Sequence, residues 1–88
     1  MRRDQLFALS YKDVQMAMMG CLDRLQHFPP NVMLAAVGWM FLRLCDHFKI
    51  DPRDALDAAD RTYRRALDVD PQYPRALAEY IREEIPRG

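Results

Sequence analysis

Read as a pattern of apolar and polar positions, the chain divides into four segments of helical period, and no stretch alternates as a strand does. The first starts at Ser10, placed as an N-cap with Asp13 at N3 and with Leu9 and Val14 in the two staple positions. Tyr11, Val14, Met18, Cys21, Leu25 and Phe28 then recur at spacings of three and four, lining one face of a helix over 11–27. Pro29-Pro30 stops it. A second helix is predicted over 31–48 with Asn31 as its cap, and it differs in kind. Val32 to Phe41 contains no charged or strongly polar side chain, so this helix is apolar on every side. The third has the clearest punctuation, with Asp51 as N-cap, Pro52 at N1 and Asp54 at N3 near the positive end of the dipole. It predicts a helix over 52–69 with Leu56, Ala59, Tyr63, Ala66 and Leu67 as its apolar stripe. Asp57–Arg61, Asp60–Arg64 and Arg64–Asp68 pair on its wet side. Asp70-Pro71 ends it, and Pro74 opens a short fourth helix over 74–85, closed by Pro86.

These segments predict an all-α single domain over residues 1–88, a bundle of four helices with Trp39 and Phe41 buried at its centre. Leu6, Phe7 and Leu9 are too apolar for a free tail and are expected to pack as a turn or an extra helical turn. The question is what covers the second helix. A membrane span needs about 20 apolar residues; here the uncharged run is half that, and Arg43, Asp46 and His47 follow closely. No membrane association is expected. The fourth helix, at roughly 16 Å, is too short to shield the whole of the second. Part of the second helix is therefore expected to face another chain, as a homodimer contact through Met33, Val37 and Met40. Met16, Met18 and Met19 add flexible thioethers of the kind that adapt to partner surfaces. Gly38, after Ala35-Ala36, would let another helix approach closely.

Composition changes this picture little. The 88 residues suffice for one core, and the 13 basic and 13 acidic side chains cancel. No net field draws the chain to a nucleic-acid backbone or an anionic membrane. Nothing at the N-terminus reads as a signal peptide, which sets the cytoplasm as the expected location. Cys21 and Cys45 lie in apolar runs and are expected reduced and packed as small hydrophobes.

The inventory for catalysis is thin. Ser10 and Thr62 are the only aliphatic hydroxyls, and Ser10 serves as a cap. Cys45 and His47, two positions apart on a helix, point about 200° away from each other. Cys21, His27, Cys45 and His47 lack the short Cys-x-x-Cys spacing of a zinc knuckle. Three glycines, at 20, 38 and 88, build no phosphate loop. The expectation is a non-enzyme with no catalytic residues, no cofactor and no metal.

The alternative is a DNA-binding regulator. "HFKIDPRDALDAADRTYRR" has the helix, turn and helix of a helix-turn-helix. Its would-be recognition helix, however, carries Asp57 and Asp60 outward, towards the phosphates.

"AADRTYRRALDVDPQYPRAL" resembles the second half of a tetratricopeptide repeat through Ala59, Tyr63, Ala66 and Pro71, with Leu77 near the next repeat's first large position. The preceding helix departs from that pattern and no second repeat follows, whereas solenoids need about three; the resemblance is discounted. The layout as a whole, through "FPPNVMLAAVGWMFLRLCDHF", "DPRDAL" and "YPRALAEYIREEI", resembles the small all-helical accessory proteins of tailed bacteriophages of GC-rich hosts. That resemblance implies a phage-type inhibitor or modulator that binds a host cytoplasmic protein. The anchors expected for such a protein–protein contact are Arg61, Tyr63, Arg64, Arg65, Tyr73 and Tyr80, with Phe7 and Tyr11 at the other end.

Overall fold

The computed structural model describes residues 1–87 and shows an all-helical chain: a 3₁₀ turn at Arg3–Leu6, then α1 (Tyr11–Leu25), α2 (Pro30–His47), α3 (Pro52–Val69) and α4 (Gln72–Glu84). The caps explain most boundaries. Ser10 Oγ accepts from the Asp13 N–H at 3.3 Å, and the Asp51 carboxylate accepts from the Arg53 N–H at 2.8 Å, so α1 and α3 start where predicted. The expected cap at Asn31 is corrected. Pro30 takes N1, where a missing N–H costs nothing, and Asn31 is already inside α2. Likewise α4 begins at Gln72, so Pro74 sits within the first turn, among the N–H positions that have no intrahelical partner anyway.

α2 ends within a residue of the predicted boundary, but the cap that closes it was not foreseen. The Ile50 N–H donates to the Cys45 carbonyl at 2.9 Å and the Lys49 N–H to Asp46 at 3.2 Å. These two bonds form a Schellman cap, with Lys49 in the left-handed conformation (φ 59°) that glycine normally fills.

Helix α3 is the hub. It packs against the 3₁₀ turn, α2 and α4, while α1 packs on α4. Leu6, Phe7 and Leu9 were expected to pack. The 3₁₀ turn does fold onto α3, with Arg3 and Asp54 3.9 Å apart, but only Leu6 is partly buried and Phe7 and Leu9 stay exposed. α1 and α2, though consecutive, pack on different partners and diverge. The result is a slab, 36 × 30 × 18 Å, with a radius of gyration of 13.6 Å; a globular domain of this length averages about 12 Å.

Three packing expectations are overturned. The predicted stripe of α3 is rotated by roughly one residue, about 100°. Ala66 is buried as predicted, together with Ala55, Ala58 and Thr62, whereas Leu56 is 60% exposed and Ala59, Tyr63 and Leu67 are also exposed. Small side chains let the neighbouring helices close on α3, and the Thr62 hydroxyl is satisfied by donating to the Ala58 carbonyl at 2.8 Å. Second, Trp39 is 75% exposed and Phe41 only half-buried, so the centre of the fold is not in α2. Third, Cys21 is exposed, as is Phe28, while Cys45 is buried as expected.

Candidate interaction surfaces

Three surfaces carry the exposed or poorly covered apolar side chains. The first is α2 itself. Cys45 is the one buried residue of α2. Stepping round the helix at about 100° per residue places Phe41, Val37, Leu44, Met33 and Met40 on one flank, and Leu42, Ala35 and Trp39 on the other. Val37, Met40, Leu42 and Leu44 are all exposed. The accessible surface of the chain is 7073 Å², about 1,700 Å² more than the roughly 5,400 Å² expected for a folded monomer of 10.4 kDa.

The second is a groove of about 380 Å³ between the diverging helices. Its floor is the small-residue face of α3 (Ala55, Ala58, Ala59, Thr62 and Ala66). Val14 and Met18 of α1, Leu77 of α4, Phe41 of α2 and Leu6 and Leu9 of the N-terminal segment wall it. The lining is almost wholly apolar, in the size range of small-ligand and side-chain pockets.

The third is a shallow polar cleft that adjoins the groove at Leu9, Tyr11 and Tyr73 and brings in Phe7, Lys12, Arg65 and Asp70. The rings of Tyr11 and Tyr73 meet there, centroids 6.4 Å apart and tilted by 56°.

The expected anchors therefore separate. Phe7, Tyr11, Arg65 and Tyr73 converge on the polar cleft, and Tyr63 joins Tyr11 and Tyr73 along the groove. Arg61 and Arg64 lie along the solvated side of α3, held by Asp57 at 3.0 Å and Asp60 at 3.1 Å; Arg64 turns to Asp60 rather than to Asp68. Such exposed pairs contribute little to stability. Tyr80 is elsewhere, its hydroxyl donating to the Asp23 carboxylate and tying α4 to α1. That bond, with partial burial and the neighbouring carboxylate charges, raises its pKa to about 12.

No protein-family model, curated protein or solved structure matches the chain.

Trp39, Leu42 and the alanine floor of the groove were not among the sequence-derived contact residues. The apolar run containing Trp39 was visible, but its outward orientation was not, because an all-apolar helix carries no polar stripe to mark its outer side. Among the described residues, no three His, Cys, Asp or Glu side chains come together as metal ligands. His47 lies edge-on to Phe48 at 5.1 Å while Cys45 is buried. No helix of the described residues is long and apolar enough to cross a membrane.

Proposed function

We propose that the protein is a non-enzymatic interaction module that self-associates as a homodimer and occupies a surface on a second protein. The observation that carries this reading is the area left uncovered: the excess of about 1,700 Å² is more than twice the roughly 800 Å² that each partner contributes to a standard interface. Exposed apolar residues are ordinary singly, but a continuous set along one helix marks a surface that another macromolecule covers. Trp39, with Arg43 one helical turn further on, has the residue types that dominate protein interfaces. The layout likeness to phage accessory proteins makes a host cytoplasmic protein the first partner to look for, as the target of an inhibitor or modulator.

Sedimentation at micromolar concentration tests the self-association, and a species of 10.4 kDa throughout would refute it. Affinity capture from host lysate at about 200 mM salt tests the foreign contact, because phosphate-driven binding weakens steeply by that concentration and an apolar contact does not. One stoichiometric protein, lost in Trp39→Ala, is the expected outcome. Recovery of nucleic acid alone, abolished by nuclease, would favour the DNA-binding regulator instead.

A further inference from the structure

We infer that the groove over α3 and the polar cleft at its end form one binding site for a medium-chain fatty acid, its hydrocarbon chain in the groove and its carboxylate between Lys12 and Arg65. The site is independent of the homodimer reading above and adds a small ligand to what the chain binds.

The groove has the dimensions of such a chain. Ala55, Ala58 and Ala66 on its floor are buried in the folded protein, so nothing as broad as a helix reaches them. A hydrocarbon chain is narrow enough. From Ala55 to Ala66 the floor runs about 16 Å at 1.5 Å per residue. An extended chain advances about 1.2 Å per bond, so about twelve carbons and a head group span that length. The volume of about 380 Å³ lies in the lower part of the roughly 300–1,000 Å³ range of ligand sites.

The lining favours hydrocarbon over water. Val14, Met18, Phe41 and Leu77 form the walls. Thr62, the hydroxyl on the floor, is already committed, donating to the Ala58 carbonyl at 2.8 Å. A water held in a cavity needs about 2–4 polar partners, and this groove offers few, so an apolar chain displaces water at little loss.

Charge complementarity fixes the head group and the direction. The N-terminal segment runs beside α3: Arg3 lies 3.9 Å from Asp54 near its start, while Leu9, Tyr11 and Lys12 share the cleft with Arg65 and Asp70 at its other end. Leu9, Tyr11 and Tyr73 line both groove and cleft, which makes the two continuous. Arg61 and Arg64 are neutralised by Asp57 and Asp60, whereas Lys12 and Arg65 form no ion pair among the described residues. In the cleft these two cations outweigh the Asp70 carboxylate, so the mouth of an apolar groove carries net positive charge. That combination suits a ligand with one apolar tail and one carboxylate, which an arginine binds through two parallel hydrogen bonds.

Isothermal titration calorimetry of the full chain with dodecanoate, below the concentration at which it forms micelles, tests the inference; circular dichroism checks that the variants fold. One dodecanoate per chain is expected. Octanoate should bind at least about 10-fold more weakly, because it buries four fewer methylenes. Dodecylammonium, with the same chain and the opposite charge, should also bind at least about 10-fold more weakly. Ala59→Phe fills the groove from an exposed position and should abolish binding. Arg65→Glu, also at an exposed position, should weaken dodecanoate at least about 10-fold and turn the preference towards dodecylammonium. Trp39→Ala, outside the groove lining, should change neither. Absence of saturable dodecanoate binding would overturn the inference. Equal binding of dodecanoate and dodecylammonium by the parent would do the same, since the cleft would then have no part in recognition. Binding kept in folded Ala59→Phe and lost in Trp39→Ala would move the chain onto the exposed side of α2, again against the inference.

Discussion

Helices α2 and α3 are equal in length and opposite in strategy. α2 is apolar all round and keeps one buried residue, Cys45; α3 is strongly charged and keeps four, Ala55, Ala58, Thr62 and Ala66. The more hydrophobic helix is thus the less buried. Burial follows from how closely neighbours can approach, and α3, with small side chains on one face, admits the 3₁₀ turn, α2 and α4. α2 offers large side chains in every direction to a fold that can cover only one of them. The single chain is organised around α3, and α2 leaves most of its large apolar side chains uncovered.

The strongest way to break this comparison is to give α3 what α2 already has. Ala58, 2% exposed, is the tightest position in the protein. Ala58→Leu makes α3 more hydrophobic yet should destabilise by about 1–3 kcal/mol, since overpacking forces the closely seated helices apart. Urea denaturation at fixed protein concentration measures it. An unchanged or raised midpoint would mean that the alanine face is not tightly packed.

Next in size is the junction between the two helices. Asp51→Ala removes the cap of α3 and should cost about 1 kcal/mol. Two residues earlier the sign reverses. Lys49 holds a left-handed conformation that penalises a side chain, so Lys49→Gly should stabilise by about 0.5–1 kcal/mol. A loss of stability in Lys49→Gly would show that the Schellman cap closing α2 is not formed.

These two neighbours also mark how far the sequence could be read. Asp51-Pro52 announces a helix start through local chemistry, a carboxylate next to a residue with no N–H, and α3 begins there. Lys49 carries no such signal: its conformation is imposed by the closure of α2 against α3. The same division holds for the surfaces. The apolar run of α2 was legible. The orientation of Trp39 was not, because an all-apolar helix carries no polar stripe to mark its outer side. On α3, choosing the largest apolar residues selected Leu56 and Leu67, one step round from the face that close packing chose. Size is a poor guide where helices meet over alanine.

Leu56 turns that error into a measurement. As a core residue its truncation to alanine would cost about 2–5 kcal/mol. At 60% exposure Leu56→Ala should instead change stability by less than about 0.5 kcal/mol. A cost above about 2 kcal/mol would restore the Leu56 stripe as the buried face and rotate α3 back.

The smallest effect concerns the hydrogen bond by which α4 meets α1. Tyr80 donates to Asp23, and the hydrogen bond raises its pKa from 10.0 to about 12. A folded-state value above the unfolded one means that the native chain holds this proton more tightly. The stabilisation is therefore complete below pH 10 and is lost as pH rises towards 12. Tyrosinate absorbance should accordingly show a late step towards pH 12. Tyr80→Phe should delete that late step. Asp23→Asn should keep the step but return it to the ordinary phenol range, because the amide no longer accepts with a full charge. A folded parent with no late step would show that α1 and α4 are not joined by this bond.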